Sequence, residues 1–206
     1  CRELEVKKLL AVGTEALRKA TNREEFTQKI KAACGLQIRV ISPVQEAELA
    51  WKGVTGGIKA TDEDICLFDS GGASTEFILG NTHKIKQMKS LTLGAVSLSQ
   101  SYQSGKTLSS GDFDNLESII SAALNLPFAF SGRLIGSGGG AVACAKVALG
   151  SERFDTDILE GFVLGHDELQ RQIKLYRNSS IAERRAIPGM EPERADIIPV
   201  SALLFS

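Results

Sequence analysis

Apolar residues recur along this chain at two spacings, and the change from one to the other lays out an α/β plan. Leu9, Leu10, Ala11 and Val12 form a short apolar run, which predicts a buried strand. Residues 14–20 read as a helix. Asn22 offers an N-cap to a second helix, in which Phe26, Ile30 and Ala33 repeat at helical spacing until Gly35 stops it. Residues 38–41 predict another strand. Ser42 then caps a helix with Pro43 at its first position, and Glu46, Leu49, Ala50 and Val54 lie along it. Residues 55–64 are polar and glycine-rich and mark a domain boundary. The expected division is 1–60 and 61–206.

Past that boundary the run Ile65-Cys66-Leu67-Phe68 is a strand ending in Asp69. Ser70-Gly71-Gly72-Ala73 makes a tight turn, residues 74–79 return, Asn81 turns the chain again, and residues 84–93 give a third strand, so a meander is expected. Helices are predicted over 96–103 and 113–124. Leu134-Ile135 is a short strand leading into Gly136-Ser137-Gly138-Gly139-Gly140 and a helix over 141–149. The last helices are placed at 167–176, 180–186 and 194–205, with Pro199 kinking or shortening the last. Meander, helix, strand and helix together fit a ribonuclease H-like domain of the actin-like ATPase kind. Residues before the boundary would be the tail of a preceding similar domain.

Charge and composition narrow the partners. A net charge of −1 on 206 residues supplies no whole-molecule field for nucleic acid or an anionic membrane, so a bound polyanion must rest on local groups. No apolar run reaches the ~18–20 residues that span a bilayer. Cys1-Arg2-Glu3-Leu4-Glu5 does not have the make-up of a signal peptide. The absence of a starting Met and the apolar close Ala202-Leu203-Leu204-Phe205 suggest an excerpt of a longer protein. Cys1, Cys34, Cys66 and Cys144 include no C-x-x-C pair, which argues against zinc or redox motifs. Cys34, Cys66 and Cys144 read as small buried hydrophobes, and a reduced, cytoplasmic protein is expected. His83 and His166 read as surface or structural residues.

Three segments carry candidate chemistry. In Asp69-Ser70-Gly71-Gly72-Ala73-Ser74-Thr75-Glu76, the glycines let backbone N–H groups approach an anion and Ser74 and Thr75 add hydroxyls. Asp69 and Glu76 supply carboxylates for a divalent cation. A plain Gly-rich hairpin fits the same letters. The loop 136–140 opens a helix and suits an anion at Gly138 and Gly139, although a close helix–strand crossing also explains its glycines. Gln45-Glu46-Ala47-Glu48 begins a helix, where Glu46 is either a base that activates water or a dipole-favoured surface acid. Lys84, Lys86, Arg184, Arg185 and Arg194 could attract a phosphate chain or only solvate the surface.

In this order the pieces resemble the exopolyphosphatase/guanosine-pentaphosphate phosphohydrolase (Ppx/GppA) phosphatase family over nearly the whole chain. Residues 12–22 (VGTEALRKATN) are similar to its "vaTeAlReAkN", residues 41–49 (ISPVQEAEL) to "iSgeEEArL", and residues 68–77 (FDSGGASTEF) to "iDiGGGSTEl". LGAVSL, GSGGGAVACA and IPGMEPERADIIPVSALLF match three further stretches. The resemblance implies two ribonuclease H-like domains with the active site between them. It also implies a metal-dependent hydrolase that releases terminal phosphate from polyphosphate or guanosine pentaphosphate. Glu46 would be the catalytic base, with Gly71, Gly72, Ser74, Thr75, Gly138 and Gly139 binding phosphate. Asp69 and Glu76 would hold Mg²⁺ or another divalent cation.

Gln45 stands where the family has a first Glu, Glu48 where it has Arg, and Ala73 where it has a third Gly. The family's opening Asp-x-Gly hairpin, its closing strand and its closing helix have no counterpart here. A non-catalytic polyphosphate or alarmone sensor and another actin-like nucleotide phosphohydrolase are the rival readings. The oligomeric state is left open, a homodimer among the options.

Overall fold

A computed structural model describes residues 6–102, 108–124 and 130–206. Residues 1–5, with Cys1, and the predicted helix end at Gln103 lie outside them. The chain divides into two compact units, Cys1–Gly53 and Val54–Ser206.

The first unit holds two short parallel strands, β1 (Ala11–Gly13) and β2 (Ile38–Val40), linked by helices α1 (Glu15–Lys19) and α2 (Arg23–Cys34). Helix α3 (Pro43–Thr55) follows and runs on past the unit's last residue. Gly35 closes α2 in the left-handed conformation, at φ 72°, which is the conformation that favours Gly. Asn22 sits at the N-cap, but its side chain makes no capping hydrogen bond. The apolar run at the chain start is not a buried strand: Leu9, Leu10 and Val12 are exposed, Leu10 at 78%. They line an open groove of about 1110 Å³ with Leu36 and Leu49. Phe26 on α2 is exposed as well, and Cys34 is an exposed free thiol rather than a buried one. Apolar spacing marks a face for burial, and no described element of this unit covers these faces.

The second unit is built on a four-stranded sheet. Strands β3 (Ile65–Ser70), β4 (Thr75–Asn81) and β5 (Lys84–Leu91) form the antiparallel meander, and β6 (Arg133–Ser137) joins β3 in parallel, giving the order β5-β4-β3-β6. The crossover from β5 to β6 carries α4 (Ala95–Ser101) and α5 (Ser110–Ala123). After β6 come α6 (Gly139–Leu149), the short α7 (Thr156–Leu159), α8 (His166–Arg177), α9 (Ile181–Arg185) and α10 (Ile198–Phe205). Helix α10 starts four residues later than the pattern placed it, and Arg194, its expected first residue, instead closes a 3-10 turn, Pro192–Arg194. Pro199 lies in the first turn of α10, where its missing N–H costs nothing, so the helix is shortened rather than kinked.

One sheet face, with Cys66, Phe68, Phe77 and Leu79, packs against these helices. Phe68 stacks on Phe77 with ring centroids 4.6 Å apart, and Phe205 of α10 lies 4.6 Å from Phe68. Helix α10, apolar except for Ser201, is buried from Ile198 to Leu204, as a helix apolar on every side must be. Burial pushes the Cys144 thiol up to about 12, so it is a packing residue and not a nucleophile at neutral pH. Gln172, also buried, satisfies itself: it donates to Cys144 O and Glu168 Oε1, both at 2.9 Å, and accepts from the Tyr176 hydroxyl at 3.1 Å.

Arg184 corrects one expectation. It is fully buried, and its guanidinium donates to Tyr176 O (3.2 and 2.9 Å) and Ala195 O (3.1 Å), so it ties α8 to the segment before α10 and cannot attract a phosphate chain. Lys86 is likewise paired, with Asp64. Both histidines are exposed. Removing the Arg184 guanidinium strands carbonyls that it now satisfies. Arg184→Gln is therefore expected to lower unfolding free energy by about 2–4 kcal/mol, and exposed Arg185→Gln by no more than about 0.5 kcal/mol. Urea titration of the two variants measures the difference.

Candidate functional site

The β3–β4 hairpin brings its two acids together because the tight turn sets the register. Asp69 pairs with Glu76 across the antiparallel ladder, with Ser137 of β6 on its other side, and Glu76 pairs in turn with Ser90 of β5. Directly opposed residues share a face, so Ser90, Glu76, Asp69 and Ser137 form one polar row across all four strands. Ser137 Oγ donates to Asp69 Oδ1 at 2.5 Å, and Ser90 Oγ to Glu76 Oε1 at 2.8 Å. Asp69 is half-buried, while Glu76 is 2% exposed. Two neighbouring carboxylates repel when both are charged, which makes the row suited to a cation. One or two carboxylates completed by water and phosphate oxygens is the donor set that Mg²⁺ favours, so these residues fit the expected metal. Among the described residues no group of three or more His, Cys, Asp or Glu gathers as a metal cluster.

The turn between the strands is pinned by its carbonyls. Gly71 O accepts from Ala95 N (3.1 Å), and Gly72 O accepts from Val96 N and Ser97 N (both 2.9 Å), which satisfies the first turn of α4. Gly71 N–H donates to Ser74 O at 2.9 Å. The N–H groups of Gly72, Ala73 and Ser74 then have no acceptor among the described residues. Neither Gly71 nor Gly72 has positive φ. What Gly72 provides is room, since a Cβ there would lie 3.2 Å from Val96 Cγ2. Thr75 is placed differently from the expectation: it is fully buried and its hydroxyl donates to Leu93 O at 2.6 Å, so that group is committed to the fold. Ser74 Oγ makes no hydrogen bond among the described residues, and Ser70 Oγ is buried without a partner among them.

The second glycine loop presses on the end of β3. Gly138 has φ 91°, and a Cβ there would stand 2.5 Å from Ser70 O and 3.3 Å from Asp69 Oδ1. The two loops predicted separately are therefore neighbours. Gly139 begins α6, and a Cβ on it would overlap Arg194 Nη2 and stand 2.8 Å from Nη1. Arg194 thus lies at the loop, unlike Arg184. Its Nε donates to Glu191 Oε2 at 2.7 Å. The other Glu191 oxygen takes Lys146 Nζ at 3.1 Å. Burial would raise the Glu191 pKa, but hydrogen bonds and charge from Lys146 and Arg194 outweigh it and hold the carboxyl below its usual value.

Glu46 belongs to the first unit. It sits in the first turn of α3, whose start is a capping box: Ser42 N donates to Gln45 Oε1 (3.1 Å) and Gln45 N to Ser42 Oγ (3.2 Å). The amide that replaces the family's first carboxylate is thereby used in capping. Arg18, to which the sequence assigned no role, organises this cluster. Its Nη1 donates to Glu46 Oε2 and to Ile41 O, both at 2.8 Å, and its Nε and Nη2 hold Glu15 Oε2. The Glu15–Arg18 spacing of three was the available clue. A hydrogen bond from Lys19, then those from Arg18, hold Glu15 below the usual carboxylate range despite partial burial. Glu46 Oε1 has no donor among the described residues.

A sequence model of the Ppx/GppA phosphatase family matches residues 1–206. The bifunctional 3-dehydroquinate synthase/phosphatase of Fusobacterium nucleatum is 28% identical over 95% of this chain, which spans only 30% of that protein's length. An exopolyphosphatase from Cytophaga hutchinsonii superposes with TM-score 0.86 at 26% identity, covering 99% of this chain and 68% of that one. The Aquifex aeolicus Ppx/GppA family member superposes with TM-score 0.79 at 28% identity, over 99% of this chain and 67% of that one. The fold is the α/β, ribonuclease H-like, actin-like one that the meander predicted.

The closeness of the loops makes a stability prediction. Gly138→Ala would place a methyl against Ser70 O in a backbone conformation nearly reserved for Gly, and a loss of about 1–3 kcal/mol is expected. Chemical denaturation measures it.

Proposed function

This chain belongs to the Ppx/GppA phosphatase family, and from that premise we propose that it acts in the cytoplasm as a metal-dependent phosphohydrolase. It releases terminal phosphate from inorganic polyphosphate, guanosine pentaphosphate, or both. The observation that carries the reading is the Asp69–Glu76 carboxylate pair beside three turn amides that have no acceptor among the described residues.

The terminal phosphoryl oxygens accept hydrogen bonds from the N–H groups of Gly72, Ala73 and Ser74, from Ser74 Oγ, and from the start of α6 at Gly138 and Gly139. Gly71, expected to bind phosphate, is left out of the contact set because its N–H donates to Ser74 O. Arg194 adds its two Nη groups. Thr75 is left out of the contact set because its hydroxyl is already engaged. Asp69 and Glu76 would hold Mg²⁺, which when bound neutralises charge on the phosphate oxygens.

Glu46, oriented through Oε2 by Arg18, takes the proton of the attacking water at Oε1. The water oxygen bonds to phosphorus as the bond to the bridging oxygen breaks, and the shortened chain leaves. No helix among the described residues is long and apolar enough to cross a membrane.

Phosphate release from polyphosphate, guanosine pentaphosphate and ATP, measured side by side on the full-length protein, tests the reading. Release from ATP alone would overturn it. Glu46→Gln should lower kcat by ~10²–10⁴ while polyphosphate still binds, and unchanged turnover would remove Glu46 from its role. Asp69→Asn should move the Mg²⁺ titration midpoint to higher concentration, and an unmoved midpoint would exclude it as a ligand.

A further inference from the structure

Arg194 stands where electrostatics alone would not put it. The start of α6 carries the positive end of the helix dipole, so a guanidinium against Gly139 is repelled by the helix it touches. Its long side chain must be held there by something else. Glu191 does this through one edge: Oε2 accepts from Nε at 2.7 Å, and the 3-10 turn Pro192–Arg194 fixes the spacing, with Arg194 N–H donating to Glu191 O at 2.8 Å. Glu191 in turn cannot swing freely. Its Oε1 is held at 3.1 Å by Lys146, an ammonium buried within α6. The Nε edge is therefore occupied and the opposite edge is not. Among the described residues neither Nη group has a hydrogen-bond partner, and both lie at Gly139, where the lack of a side chain makes room. Two Nη groups side by side are the fork that takes phosphate in a bidentate grip.

We propose that Glu191, fixed by Lys146, is a positioning residue: it holds Arg194 by the Nε edge so that both Nη groups are presented to a phosphate group at the Gly138–Gly139 loop. The role rests on the phosphate reading of that loop, but the positioning itself is a property of the protein without substrate. Glu191 touches no substrate and acts through Arg194 alone.

Two measurements on the full-length protein test this. The first is a double-mutant cycle in the phosphate-release assay. Glu191→Gln is expected to raise KM for polyphosphate about tenfold while leaving kcat nearly unchanged, and to add nothing once Arg194→Ala is present. Glu191→Asp should recover part of the loss. An unchanged KM, or an equal rise in the Arg194→Ala background, overturns the inference. The second is the Arg194 Nε–H resonance in ¹⁵N-labelled protein without substrate. It is expected to be protected from exchange in the wild type and lost in Glu191→Gln. A signal that is unprotected in the wild type, or persists in the variant, overturns the positioning whatever the enzyme hydrolyses. Conversely, a wild type that protects the signal but neither binds nor cleaves polyphosphate or guanosine pentaphosphate would refute the proposed function and leave the positioning intact.

Discussion

The end of strand β3 is the point on which the second unit's chemistry depends. Three things meet there: the cross-strand acid Glu76, the Ser137 hydroxyl, and the backbone of Gly138 pressed against Ser70 O. Two carboxylates side by side on one sheet face are costly in isolation. They are tolerated here because serine hydroxyls donate to each from the outer strands. The same crowding demands Gly at 138, where φ 91° and the nearness of Ser70 O exclude a side chain. Acid pair and glycine loop are thus one arrangement seen from two strands.

What supports this point is largely apolar. Phe68 and Phe77 alternate with Asp69 and Glu76 along the same strands, so each acid directed to one face is matched by a ring directed to the other. Phe68, stacked on Phe77, meets Phe205 of the buried helix α10. The polar row is therefore carried on strands whose opposite face is anchored in the core. Helix α4 adds a second anchor by donating its first N–H groups to Gly71 O and Gly72 O, and the N–H groups of Gly72, Ala73 and Ser74 have no acceptor among the described residues.

The arginines show how little charge alone says about role. Arg184 and Arg194 lie ten residues apart in a basic stretch, yet one is sealed among carbonyls and the other lies against a glycine loop. Arg18 in the first unit is different again, its fork divided between Glu15 and Glu46 so that one oxygen of Glu46 is held and the other has no donor among the described residues. In each case the identity of the acceptor decides whether the guanidinium stabilises the fold, orients a neighbour, or is open to a ligand.

Strand, turn and helix starts were legible because each has a local cause: alternation for β3 and β4, Gly35 for the end of α2, and the Ser42–Gln45 capping box with Pro43 for α3. The acids and glycines of the hairpin could be named for the same reason. Burial was not legible where it depended on a partner, so the runs at Leu9–Leu10 and Phe26 read as inward-facing and are exposed. Hydroxyl partners were hidden too, since Leu93 O reaches Thr75 from 18 residues away and Ser137 reaches Asp69 from 68. By itself the amino-acid order determined the meander, the two glycine loops and the family's motifs, all of which rest on neighbours within a few positions. Only the tertiary structure decided that the two loops adjoin, that Thr75 and Arg184 are committed to the fold, and that Arg194 is held at Gly139 by Glu191. Those facts depend on which distant groups satisfy one another's hydrogen bonds and charges, and no local pattern encodes them.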